Sequence, residues 1–361
     1  MQGTREVTKP DFTGENIYIG FDVHKKDWKV TIMTDLVTHK TFIQPPSPDV
    51  LFNYVQRNFP GGIFHSAYEA GFSGFWVHNR LKELGINSLV VNPADIPTTH
   101  KEKLQKEDKR DSRKIAKELR KGDLKGIYIP SVKTVQDRSL VRMRQTLVKD
   151  LKRYKSRIRA FLFFYGIEVP GDFSNQTGHW SKRFIKWLRS IELKEQSGNQ
   201  TLAILIKESE SLRSSILEVT KQVRLLSESS EYKTQCELLR TIPGVGLIVA
   251  MTLLTEIEDI NRFKRTDDFC SFIGLVPTMY SSGEHEVRGD ITPRANHLLR
   301  KMIIESSWIA IRFDPALMKA YHDYCKRMDA NKAIVRVAKK LLNRIKFVLK
   351  NQQPYINSVK A

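Results

Sequence analysis

The chain has 361 residues, enough for two or three domains of ordinary size and more than one core accommodates. Hydrophobic residues make up 40% and Gly and Pro number 19 and 14, which fits a folded chain and excludes a low-complexity one. Sixty Lys and Arg against 40 Asp and Glu give a net charge of +20 and a pI near 9.8, and the excess runs along most of the sequence. A polyanionic partner is the first expectation, because each cation that neutralises a phosphate releases counterions.

No apolar run approaches the roughly 20 residues that span a bilayer, and MQGTREVTKPDF has no apolar signal segment, so a cytoplasmic chain with no membrane partner is expected. Cys236, Cys270 and Cys325 are odd in number, far apart and without zinc-site spacing, which reads as buried free thiols.

In chain order, residues 17–22 (IYIGFD) alternate, with Ile17, Ile19 and Phe21 on one face of a strand and Tyr18, Gly20 and Asp22 on the other. After a polar turn, Trp28, Val30 and Ile32 form a hairpin partner, and Thr41 to Gln44 extends the meander. A helix over 50–58, a strand IFHSAYE ending at Glu69, a helix over 72–84 and a short strand SLVV complete a mixed α/β pattern. From Lys101 to Lys125 charge dominates, and Ile115, Ala116 and Leu119 give a helix only a narrow apolar face.

Two long apolar seams follow. The first runs Leu140, Met143, Leu147, Leu151, Tyr154, Ile158, Phe161, Tyr165. The second runs Leu202, Leu205, Ser209, Leu212, Ile216, Val219, Val223, Leu226. Both have heptad spacing, and length alone allows them to pack within one chain or between chains. The basic exterior of the first (Arg142, Arg144, Lys149, Lys152, Arg153, Arg157, Arg159) is a candidate nucleic-acid surface. Near Tyr232 a further domain begins, where IPGVG sets a glycine turn between apolar helices in the manner of a helix-hairpin-helix. Gly244 and Gly246 are both expected to serve positive φ there. The division expected is 1–130, a central helical region 131–231, and a mostly helical domain 232–361.

Asp22 and Glu69 stand at strand ends, and Asp108 and Asp111 are three apart on a helix, where they share a face. Four carboxylates gathered in this way suit two divalent ions, with Mg²⁺ favoured by all-oxygen ligation. Singly, each is as readily a cap or a solvated acid; the combination carries the signal. Among the serines, Ser281 and Ser282 precede a glycine in SSG, with Arg288, Arg294 and Arg300 within twenty residues downstream. Guanidinium matches phosphate geometry. The residues alone leave either serine open, along with a resolvase using only the acids and a non-enzymatic basic architectural protein.

IGFDVHK, YEAGFSGFWVHNRL, VVNPADIP and KEDKRDSRKIA, then IPGVG, GLVP, SSG and ITPRANHLLR, resemble in order the motifs of insertion-sequence transposases with an N-terminal RuvC-like domain of the ribonuclease H fold. The resemblance covers about residues 16–125 and 236–310. It implies that Asp22, Glu69, Asp108 and Asp111 are that family's DEDD set, holding Mg²⁺, and that Ser282 is its catalytic serine. It also implies a prokaryotic, nucleoid-associated recombinase guided by a bridge RNA, acting on donor and target DNA, and a homodimer that assembles into a homotetramer with a composite site. The chain departs from the pattern at Glu107, Pro293 and Ala295.

Overall fold

The computed structural model describes residues 11–97, 108–173, 180–282 and 285–356, with the backbone alone described at 108–110, 279–282 and 285–288. The chain divides into two compact units, residues 1–129 and 130–361.

The first unit is built on a five-stranded sheet of order β3-β2-β1-β4-β5. Strands β1 (Asn16–Val23), β2 (Trp28–Thr34) and β3 (Thr38–Gln44) form the antiparallel meander. β4 (Ile63–Glu69) and β5 (Asn87–Val91) join it in parallel. The period of two decides which side chain meets which layer. Ile17, Ile19, Phe21, Trp28, Val30, Ile32, Phe64 and Tyr68 face one side and are buried against α1 (Pro48–Asn58) and α2 (Trp76–Glu83) through Leu51, Val55, Val77 and Leu81. Ala67 and Val91 face the other side, against α3 (Asp108–Lys121) through Ile115 and Leu119. The narrow stripe expected on this charged helix is thus its packing face, and Ser112, fully buried, completes it.

The second unit is mostly helical. α4 (Val132–Phe164) and α6 (Gln196–Ser227) pack on each other within the chain, joined through α5 (Lys182–Arg189). The second expected seam faces inward throughout, with Leu202, Ser209 and Val223 buried; the first keeps Ile158 buried but departs at Met143 and Tyr165, about half exposed, where Val141 and Leu162 are buried instead. The base of α4 also packs on α8, so no single heptad stripe serves its whole length. α7 (Lys233–Arg240), α8 (Leu247–Ile257), α9 (Thr266–Ile273), α10 (His297–Phe313), α11 (Pro315–Cys325) and α12 (Ala330–Asn351) enclose one large core, to which Val141 and Val223 contribute. A second, smaller core lies toward the far end of the hairpin, where Ile158, Leu162, Phe184, Leu188, Leu202 and Ile206 meet.

Gly244 has φ +85, and a side chain there would collide with the Ser306 carbonyl of α10. Gly246 corrects the sequence expectation: it caps α8 with φ −85, a conformation open to any residue, and nothing lies near its missing Cβ. Cys236 and Cys270 are buried, and burial pushes both thiols up; Cys325 is half-buried. Among the described residues no helix is long and apolar enough to cross a membrane.

Burial pushes the imidazoles of His65 on β4 and His78 on α2 below their ordinary range, against a pull from Asp35 on the first and with help from Lys82 on the second. The unfolded chain therefore takes up protons near pH 6.5 that the folded one still refuses, so stability is full above that pH and declines below it. Melting followed at pH 7.5 and pH 5.5 is expected to show a lower Tm at pH 5.5, and a smaller drop in His65→Gln/His78→Gln.

Candidate active site

β1 and β4 run parallel with Phe21 beside Tyr68, whose rings lie 5.1 Å apart in the core. One residue further on, Asp22 and Glu69 close the same ends of the two strands. Alternation turns them to the opposite face, the one α3 covers. Asp22 lies opposite Lys29 of β2, with His24 Nε2 2.9 Å from its carboxylate.

α3 approaches this face very closely because residue 20 has no side chain. A Cβ on Gly20 would fall on the Ser112 carbonyl and the Ala116 nitrogen, and 2.8 Å from the Ala116 Cα. Ser112 Oγ and Thr31 Oγ1 share a buried hydrogen bond of 3.0 Å across the same contact. Further along, Arg120 donates to the carbonyl of Thr34, which pairs with Ile17 at the start of β1. The helix therefore runs antiparallel to β1, and its first turn, with Asp108 and Asp111, lies at the strand ends that carry Asp22 and Glu69.

The structure thus brings Asp22, Glu69 and the Asp108–Asp111 turn to one end of one face. The donor set, all carboxylate oxygen, is of the kind that hard divalent ions take. Among the described residues no group of three or more His, Cys, Asp or Glu closes to metal-holding distance, and the side chain of Asp108 is outside those described.

In the second unit, β6 (Pro277–Ser282) and β7 (His285–Ile291) form an antiparallel ribbon in which Ser282 pairs with His285 and Ser281 with Glu286. Met279 pairs with Arg288, whose side chain is not among those described. The ribbon is tied at its base by Thr292 N donating to the Val276 carbonyl. Gly274, at φ +82, ends α9 and makes room for Ala295, whose Cα is 2.9 Å from where a Cβ would stand. The chain then enters α10 through Asn296, whose side chain accepts from Leu299 N.

Sequence reasoning missed Glu256, the residue that fixes this entry. Almost fully buried on α8, it accepts from Arg142 of α4 at 2.6 and 2.9 Å and from Asn296 Nδ2 at 3.0 Å. Its partners are 114 and 40 positions away, so no local pattern signals it. Arg142 is therefore engaged inward. Arg144 donates to Thr220 at 2.8 Å, Arg153 pairs with Asp150, Arg157 sits over Tyr154 and Arg159 over Trp180. Lys149 and Lys152 are exposed. Arg142 and Lys149 line a groove of about 530 Å³ together with Phe272 and residues 295–298. Arg294 is exposed, and its backbone N donates to Thr292 Oγ1. Arg300, in the first turn of α10, keeps Nε and one terminal nitrogen buried without a hydrogen-bond partner among the described residues.

Two family comparisons agree with this geometry. Residues 19–167 match the DEDD transposase domain of IS110 elements, and residues 236–323 match the Transposase IS116/IS110/IS902 family. Both matched models describe transposases, the first of them a DEDD domain. The chain is similar to the IS110/IS116 transposases over both stretches, the first running from the first unit into α4 and the second lying within the second unit.

Relatives include a Sinorhizobium fredii protein, y4qE, named as a transposase (29% identical over 70% of this chain and 60% of the relative). The transposase for insertion sequence element IS1533 of Leptospira borgpetersenii is 26% identical over 81% and 84%. That for IS1111A of Coxiella burnetii is 26% identical over 63% and 61%. The matches thus span about three fifths of the length of two of these relatives and most of the third.

Gly20→Val is expected to lower stability by about 1–3 kcal/mol through overpacking, and to strip hydrogen-exchange protection from residues 112–121 before the rest of the first unit. Glu256→Gln is expected to cost about 1–3 kcal/mol, the usual range for weakening hydrogen bonds to a buried charged group. Denaturant unfolding is the measurement, and an unchanged midpoint would deny Glu256 its role.

Proposed function

We propose that the chain is an insertion-sequence recombinase that cuts and exchanges DNA strands by phosphoryl transfer, with Ser282 as nucleophile and Mg²⁺ held by Asp22, Glu69, Asp108 and Asp111. The observation that carries the reading is the placement of α3, whose first turn, with Asp108 and Asp111, lies toward the ends of β1 and β4 because Gly20 admits the helix. The two family matches support the same class, and the sheet order and buried α3 support a ribonuclease H-like first unit. The relatives' names say that they are transposases of insertion sequences; the same substrates, donor and target DNA, are proposed here.

Bound at the carboxylates, Mg²⁺ supplies positive charge against the phosphate oxygens. Ser282 Oγ attacks phosphorus, the bond to the 3′ oxygen breaks, and the leaving oxygen takes a proton as a 3′ hydroxyl, leaving a 5′-phosphoserine link. The serine proton passes to a carboxylate or to water. Arg300 brings a guanidinium, the group that matches phosphate geometry, to the start of α10. Arg288 and Arg294 add charge from the same stretch. The exposed cations of α4, with Lys149, Lys152 and Arg157 foremost, hold nucleic-acid backbones, including the bridge RNA that the sequence resemblance implies. The working state is a homotetramer assembled from two homodimers.

Protein incubated with Mg²⁺, the element's RNA, and donor and target DNA is expected to give a covalent protein–DNA adduct on a denaturing gel. Ser282→Ala and Asp22→Ala should each abolish it. Free 5′-phosphate ends with no adduct in the parent protein would favour a junction resolvase using the acids alone.

A further inference from the structure

The hairpin of the second unit carries a cleft that neither the acids nor the serine region uses. It has a volume of about 750 Å³ and is bounded by α4, α5 and α6. Its wall holds Lys155, Lys182, Lys186, Arg189 and Arg213 against one acid, Glu210, and Arg189 already takes that acid at 2.6 Å. The remaining four cations share one concavity. Lys155 is where this crowding shows most: burial, with the like charges of Arg213 and Arg159, holds its ammonium below the ordinary lysine range.

One aromatic completes the wall. Trp180 lies under Lys155 Nζ at 5.0 Å and beside the Arg159 guanidinium at 6.0 Å, and its ring packs edge-on against the fully buried Phe184. The residue stands at φ +66, a left-handed conformation that a bulky side chain adopts only when its surroundings hold it there. Its indole Nε1 is buried and donates to nothing among the described residues. A cationic concavity floored by an aromatic matches what binds single nucleic-acid strands: charge follows the backbone while an aromatic faces the bases or sugar. The volume is that of a small-ligand pocket, enough for a short stretch of one strand and too small for a duplex.

We propose that this cleft binds the sugar–phosphate backbone of a single nucleic-acid strand, as a site separate from the strand-transfer residues. The proposal deepens the reading above and rests on it only in that the chain handles nucleic acid; neither metal nor serine enters. A single strand that threads here meets cations from three helices, whereas a duplex laid along the exterior of α4 meets those of one.

The test is fluorescence anisotropy with labelled single-stranded RNA, single-stranded DNA and a DNA duplex of matching sequence, in EDTA and across a salt series. The protein is the full chain, its Lys182→Ala/Lys186→Ala/Arg213→Ala variant, and a control that loses three exposed cations elsewhere on the second unit, Lys319→Ala/Arg327→Ala/Lys332→Ala. All three cleft positions are exposed side chains, and circular dichroism melts verify that each variant is folded. The cleft variant is expected to bind the single strands roughly tenfold or more weakly, with the slope of log affinity against log salt reduced by about 2, as three lost phosphate contacts require. Duplex binding and the control variant should change far less. Equal losses on duplex and single strand, or equal losses in the cleft variant and the control, would overturn the proposal. Because binding is read in EDTA, a chain that forms no serine adduct but shows the selective loss keeps the cleft and loses the mechanism, and the converse result does the opposite.

Discussion

The first unit depends on an absence, the missing side chain at position 20. Sheet and helix normally stand apart by the thickness of the side chains between them. At Gly20 that layer is gone, and the backbone of α3 at Ser112 and Ala116 rests on the backbone of β1. The helix is held there by small polar groups, Ser112 and Thr31, instead of by bulk. This matters for chemistry because the first turn of α3 carries two of the four acids. A helix set a few ångströms higher by an ordinary side chain would lift Asp108 and Asp111 from the plane in which Asp22 and Glu69 end their strands.

The second unit relies on the reverse arrangement, a charge placed where apolar groups would be expected. Glu256 is buried among the apolar residues of α8, and its charge is matched by Arg142, with Arg138 at 3.9 Å and the amide of Asn296. Buried ion pairs contribute little net stability against apolar replacements, but they discriminate strongly against misplacement, since a wrong register leaves a carboxylate unpaired in the interior. Here that selectivity acts on three elements at once: α4, α8 and the start of α10. The basic residues after the β6–β7 ribbon thereby take a defined position relative to α4, and the groove between them follows from it.

Much of this was legible in the residues. The alternation of IYIGFD assigns both faces of β1, and the strand ending at Glu69 is visible because apolar residues stop there, so each acid reads as a strand-end residue; that β1 and β4 lie side by side in parallel is not visible in this way. The narrow apolar stripe of Ile115, Ala116 and Leu119 likewise marks the packing face of α3. What stayed hidden depends on contacts distant in sequence. Gly20 looks like any small residue on a polar face until the helix that needs its bareness is in place. Arg142 reads as one more cation on a basic exterior until Glu256 is found opposite it. The first seam holds at Ile158 and fails at Met143 and Tyr165, where α4 buries Val141 and Leu162 instead, its base serving α8 as well as α6. Gly246 sits in a glycine-rich turn, yet only Gly244 has the backbone angle that glycine alone tolerates easily.

The hairpin of α4 and α6, 33 and 32 residues long, reaches about 50 Å, and it is packed tightly only at its two ends. One end belongs to the large core through Val141 and Val223; the other has its own small core, with Leu147, Leu151 and Leu212 only half covered in between. Two cores joined by such a neck can come apart separately: opening of the distal core exposes Phe184 and Leu202 without unpacking the large core around Leu253 and Leu341.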